Sequence, residues 1–213
     1  EFTRLLKNIA HLNIPEQVKP YIERTNRLKI KGNFKGYITS FDATANIDVG
    51  SGGGLYATCG IHPQDGDRVV KATLTADSLN INKLLAKPKA ISTDFDIKAT
   101  ARFSDTDGVE AEASGDISRL LFNGYHYTDL AFDGAYSPTV SHINFGSGDA
   151  NLKAQIKAAM DRSSSSKPIY SAVAQIDHAD LHALNINRRD SVSTVSASLW
   201  LDATGNTLDD MDG

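Results

Sequence analysis

"AISTDFDIKATARF", residues 90–103, is the stretch that decides how this chain folds. Its odd positions carry Ile91, Phe95, Ile97, Ala99, Ala101 and Phe103, with Thr93 the exception, and its even positions carry Ser92, Asp94, Asp96, Lys98, Thr100 and Arg102. Successive side chains of a strand point to opposite faces, so this spacing predicts a strand with one apolar and one wetted face. The same period of two runs through the chain from residue 27 onward. Leu28 and Ile30 alternate with Lys29 and Lys31, and Phe41, Ala43, Ala45, Ile47 and Val49 alternate with Asp42, Thr44, Asn46 and Asp48. Further runs cover 55–61, 70–76, 109–113, 152–160 and 195–203, the last through Val195, Ala197, Leu199, Leu201 and Ala203. Strands that are apolar on one side only predict antiparallel pairing.

The breaks between these runs are short and rich in turn formers: "GSGGG" at 50–54, "PQDGD" at 63–67, "SDTDG" at 104–108, "SP" at 137–138, "GSGD" at 146–149 and "DRSSSSKP" at 161–168. They predict hairpins joining consecutive strands, hence a long meander. Two segments, "DSLNINKLLAKPK" and "HADLHALNINRRD", interrupt it and read as short helical or looped inserts. Residues 1–25 have a different period. Phe2, Leu5, Leu6, Ile9 and Leu12 share one helical face, Asn13 suits a cap, and Pro15 and Glu16 suit the first turn of a second short helix that Pro20 ends or kinks. The expected organisation is an amphipathic helical segment over 1–25 followed by a repeated sheet region over 26–213.

The two inserts resemble each other. "VVKATLTADSLNINKLL" and "YSAVAQIDHADLHALNI" each read as an alternating strand running into a Leu-x-x-Leu turn, with Leu79 aligned to Leu181. A second echo, "IDVGSGGGLYAT" from Ile47 and "INFGSGDANLKA" from Ile143, lies at nearly the same separation, roughly 100 residues. Such echoes predict a repeated supersecondary unit, which buries its apolar face only by stacking. That face is rich in alanine, and small side chains fill the gap between two sheets poorly. A single sheet curved around an apolar hollow is the favoured reading, with a closed sandwich as its alternative.

Composition narrows the function. The 213 residues carry 22 basic and 26 acidic side chains, a formal net charge of −4, with no long block of either sign. Nothing there suits a phosphate backbone, and nucleic acid is not an expected partner. The one cysteine, Cys59, sits at an apolar-face position and reads as a small hydrophobe. No signal peptide and no run of about 18 apolar residues is present, and the chain opens without methionine, so it reads as a piece of something longer. His178 and His182 would stand together on a helix, but without further ligands close by they predict a capped turn and no metal site. Asp209, Asp210 and Asp212 miss the spacing of a calcium loop. G-x-S-x-G, a phosphate loop and G-x-G-x-x-G before a helix are all missing, which predicts a chain that is not an enzyme and takes no cofactor. A transmembrane barrel is disfavoured because Trp200 is the only tryptophan and the seven tyrosines do not pair at strand ends.

Four stretches carry a family resemblance: "LKIKGNFKGYITSFDATANI", with its G-x-x-x-G before a strand; "LFNGYHYTDLAFDGAYS", a strand ending in Asp-Gly; the "ADLHALNI" insert; and "GNTLDDMDG", opening a next unit. In this cadence the chain resembles the TamB and AsmA-like proteins of Gram-negative envelopes, in the versions carried by Bacteroides-type bacteria. The resemblance implies a mostly β fold, a long antiparallel meandering sheet curved into an open apolar groove of the β-taco type. It implies a periplasmic protein anchored to the inner membrane by a segment outside this sequence. The implied activity is phospholipid transport, or outer-membrane and protein assembly, between the two membranes. Expected partners are phospholipid acyl chains and an outer-membrane assembly barrel protein reached through other regions. The residues expected to line the groove are Phe41, Ala43, Ala45, Ile47 and Val49; Phe95, Ile97, Ala99, Ala101 and Phe103; and Val195, Ala197, Leu199 and Leu201. The alternative is a secreted or periplasmic β-sandwich that acts as an adhesin or interaction module.

Overall fold

The computed structural model describes residues 29–80, 92–163 and 167–206. The helical segment expected over 1–25, most of the first insert, part of the serine run and the acidic end lie outside the described residues. Eleven strands follow one another: β1 (Lys29–Tyr37), β2 (Ser40–Asp48), β3 (Gly54–Gln64), β4 (Asp67–Asn80), β5 (Ser92–Ser104), β6 (Gly108–Phe122), β7 (Tyr125–Tyr136), β8 (Val140–Asp149), β9 (Leu152–Asp161), β10 (Ile169–Asp180) and β11 (Thr194–Thr204). All belong to one sheet in which spatial order equals chain order, and every neighbouring pair is antiparallel. The meander is thus as expected. β1 and β11 are its two edges and do not pair with each other, so the sheet is open. The two-layered sandwich held as the alternative is not what the described residues form.

The connections follow from turn chemistry. Asp65 and Gly66 between β3 and β4, and Asn123 and Gly124 between β6 and β7, all have positive φ. That is the two-residue hairpin whose twist matches its strands, and Asn-Gly and Asp-Gly are the pairs that adopt it readily. β2 and β3 are joined through a single 3-10 turn, Gly50–Gly52. Two expected breaks are corrected. "GSGD" at 146–149 is the end of β8, and the chain turns at Ala150 and Asn151; Asp133 and Gly134 lie in the middle of β7 and do not end it.

The inserts also begin later than their sequence suggests. β4 continues to Asn80 and β10 to Asp180, because each contains a bulge. The register shifts between Ala76 and Leu79 on β4, and between Ile176 and Ala179 on β10. The second pair of positions lies 100 residues and six strands beyond the first, the separation at which the sequence echoes fall. This equates Leu79 with Ala179, correcting the alignment of Leu79 with Leu181. The second insert is not helical. His178 lies in β10, while His182 lies in a run of turns after Asp180 that ends as β11 begins.

Candidate functional site: the apolar face of the sheet

Directly paired residues of an antiparallel sheet point to the same face, so the register traces rows of side chains across all eleven strands. One row runs Phe34, Ala43, Cys59, Ala72, Ala99, Ala113, Gly134, Ile143, Ala158, Ala172, Leu201. The next, toward the bulged ends, contains Ala45, Ala57, Leu74, Ile97, Gly115, Phe132, Phe145, Ile156, Ala174 and Leu199. Beyond it lie Ile47, Leu55, Ala76, Phe95, Ile117, Leu130, Ser147, Ala154, Ile176 and Ala197. No charged side chain occurs in these three rows. The half-buried Cys59 occupies one place among the alanines, as a small apolar group would.

The residues singled out from the sequence fall on this face. Phe41 and Ala101, Ala43 and Ala99, Ala45 and Ile97, and Ile47 and Phe95 hold matching positions on β2 and β5, linked through β3 and β4. Ala197, Leu199 and Leu201 continue the same rows on β11, Val195 pairs with Ala179 beyond the bulge, and Phe103 pairs with Val109. Val49 follows the end of β2 and is buried against Ala76 and Leu79. The register adds residues that the sequence reading passed over, above all Leu130 and Phe132 on β7 and Ile143 and Phe145 on β8. Their alternation is there, but Gly134, Ser141 and Ser147 dilute it.

Among the described residues the face is covered mainly at one end. At the bulged end Ala76, Leu79, Leu130, Ala154, Ala179 and Leu184 are buried. The segment between β10 and β11 reaches across to the turn between β6 and β7, where the Asn123 side-chain amide donates to the carbonyl of Asn185 at 3.1 Å. Along the middle of the strands the cover is thinner: Ile143 is 55% exposed and Ile156 41%, and on the edge strand β11 Leu199 is 60% and Leu201 53%, while the alanines and Cys59 of the first row are half-buried. Substantial contacts join only strands adjacent in the sheet, plus β4 with the 3-10 turn. A depression of about 370 Å³ opens on the alanine floor, bordered by Val70, Ala72, Ala101, Ala111, Phe132 and Tyr136.

The opposite face carries most of the charges. Arg102 bridges Asp67 at 2.5 Å and Glu110 at 3.6 Å, and Arg119 meets Asp94 at 2.7 Å. Hydrogen bonds from Ser104 and then Arg102 hold the Asp67 carboxyl below its ordinary value. Thr75 donates to Asp96 at 2.6 Å. On β2 and β3 the Ser40 hydroxyl lies 3.4 Å from Nδ1 of His62, whose Nε2 lies 2.9 Å from Asp42. The Asp42 side chain is 70% exposed, so water competes for these bonds. Among the described residues no group of three or more His, Cys, Asp and Glu is placed to hold a metal ion. His126 and His142 lie toward opposite ends of neighbouring strands, since His142 pairs with Ala135, at the far end of β7 from His126. No helix among the described residues is long and apolar enough to cross a membrane.

The chemistry available on the apolar face is contact without directionality. Its three rows carry no charge, and their one hydroxyl, on Ser147, already donates to the Leu152 carbonyl at 2.6 Å, so what remains to offer is area. No family model, no curated protein and no solved structure matches the chain.

Proposed function

We propose that this chain is a stretch of a periplasmic envelope protein whose sheet curves into an apolar groove for phospholipid acyl chains. It serves lipid transport, or outer-membrane assembly, between the inner and outer membranes and performs no catalysis. One observation carries the reading: the same face is apolar in every strand, and among the described residues no second layer packs on its centre. Exposed contiguous apolar surface on this scale calls for an occupant. Each methylene taken from water contributes roughly 0.8 kcal/mol. A chain sliding by one methylene exchanges one such contact for another, so movement along the face costs little and selectivity for the headgroup is low.

The test places a photoreactive residue at Ile97, Ala99, Asp96 or Lys98 in the full-length protein and asks which positions label phospholipid. Ile97 and Ala99 should label, and Asp96 and Lys98 should not. Ile97→Asp should block passage by forcing a charge either to be desolvated or to bring water with it. Equal labelling from both faces, or none from Ile97 and Ala99, would sink the proposal and leave a lipid-free interaction module.

A further inference from the structure

The segment over residues 181–193, between β10 and β11, holds itself together. The Asp180 carboxylate accepts the amides of His182 and Ala183, both at 3.0 Å, and the Leu181 carbonyl accepts those of Ile186 and Asn187, both at 2.9 Å. The Leu181 amide donates to the Ser193 carbonyl at 2.7 Å and closes the loop at its base. Leu184, 1% exposed, is the side chain it buries. The turn between β6 and β7 ties this segment down. The bond from the Asn123 amide to the Asn185 carbonyl joins residues 62 apart in the chain, and a Cβ on Gly124 would lie 3.4 Å from the Asn185 side-chain nitrogen.

Asn123–Gly124 is also the one Asn-Gly pair in the sequence. An asparagine side chain is open to attack by the backbone nitrogen of the next residue, and glycine has no Cβ to hinder that approach. The Gly124 nitrogen adds to Cγ of Asn123, the side-chain nitrogen leaves as ammonia, and a cyclic imide closes. Water then opens the ring to aspartate, or to isoaspartate, in which the backbone runs through the former side chain. One water is taken up and one ammonia released, and no other reactant is needed. Gly124 lies in the loop, outside the ladder that begins with the Phe122–Tyr125 pair.

Either product removes the donor from the clasp. A carboxylate only accepts hydrogen bonds, and here it would face the Asn185 carbonyl oxygen. The turn itself tolerates aspartate: Asp65 and Gly66 hold φ of 53° and 93° where Asn123 and Gly124 hold 51° and 79°. We propose that Asn123 is a deamidation site, and that its conversion unlatches residues 181–193 from the β6–β7 turn and uncovers this end of the apolar face. The inference is independent of what occupies that face.

The test ages the intact chain in mildly alkaline buffer, reads conversion at each asparagine by mass spectrometry, and compares native trypsin cleavage of fresh and aged samples. Asn123 should convert ahead of Asn144 and Asn187. Cleavage after Arg188 and Arg189, within the segment, should rise about tenfold with it, because proteolysis follows the open population. Cleavage after Lys153 and Lys157, on β9, should not change. Asn123→Asp should be cut at the faster rate without ageing. Asn123→Gln, whose longer side chain closes such a ring poorly, should neither convert nor change its cleavage rate with age. Conversion of Asn123 no faster than that of Asn144 and Asn187 overturns the proposal. So does conversion without faster cleavage, an equal rise in aged Asn123→Gln, or a rise on β9 equal to that in the segment.

Discussion

Asp149 is 1% exposed and points to the apolar face at its covered end, where an unpaired carboxylate would be costly. It is not unpaired. The Tyr125 hydroxyl donates to it at 2.6 Å, the Thr128 amide and hydroxyl at 2.8 and 3.1 Å, and the Asn151 amide at 2.8 Å. Tyr125 is held in turn by the Asn151 side chain at 3.0 Å and by the ring of Tyr127, edge-on at 4.7 Å. Burial would raise the Asp149 pKa, but the bonds from Tyr125, Asn151 and Thr128 together outweigh it, and the carboxyl titrates below its ordinary value. Its contribution is therefore fully present at neutral pH. It erodes once the pH falls below about 4, where carboxyls of the unfolded chain bind protons first, and is gone after the pH passes through the lowered folded value. Asp149→Asn keeps the volume but sets an amide against donors, and should cost about 3 kcal/mol at neutral pH. Urea unfolding at pH 6 and pH 3 checks both points: the gap between the wild-type chain and Asp149→Asn should narrow in acid. An unchanged gap would mean that the carboxylate charge is not what the network holds.

At the scale of elements, the bulges explain where the sequence was legible and where it was not. Alternation held from Phe95 to Phe103 because β5 runs straight past its neighbours there, and the meander followed from it. It failed where a bulge changes the spacing. Ala76 and Leu79, Ile117 and Leu120, and Ile176 and Ala179 all share the apolar face although three positions apart. A spacing of three reads as helix, and that is why the ends of β4 and β10 looked like helical inserts. A bulge is a tertiary event, set by which strand lies alongside, and a single strand's pattern does not contain it. The apolar rows beyond β2, β5 and β11 were hidden for a related reason, since glycine and serine on β7 and β8 are small enough for the face without looking apolar. Gly53 tests how tightly the bulge is held. Its φ is +85°, and a Cβ there would meet the carbonyl oxygen of Ser78, the bulge residue, at 2.2 Å. Gly53→Ala should cost about 2–4 kcal/mol through strain and displacement of this backbone, as read from the thermal midpoint. Gly66→Ala, with positive φ but nothing within 4 Å, should cost clearly less. Equal losses would attribute the effect to φ alone and not to the bulge.

For the whole molecule the governing fact is that strands touch their sheet neighbours and little else. Stability is then close to a sum of terms between neighbours, as in stacked repeats, and does not come from one core shared by all elements. At the covered end burial is concentrated in two places along the sheet. Val49, Ala76 and Leu79, with Ile47, Leu55 and Phe95, form one on β2–β5. Leu130, Ala154, Ala179 and Leu184 are buried farther along the sheet, Leu184 in the segment between β10 and β11. Among the described residues no layer over the centre of the apolar face ties the two together. A perturbation in the first six-strand unit should accordingly stay there. Native-state hydrogen exchange on Gly53→Ala should show protection lost on β2–β4 and retained on β8–β10, while β1, exposed throughout, exchanges early in both proteins. Loss spread evenly over all eleven strands would show a single cooperative unit, and would mean that something beyond neighbour pairing couples the two ends of the sheet. Phospholipid is the natural candidate for such a coupler under the proposed function, because an acyl chain lying across several strands contacts both units at once. Repeating the exchange after extraction with organic solvent separates the cases: coupling that disappears on delipidation belongs to the occupant, and coupling that persists belongs to the protein.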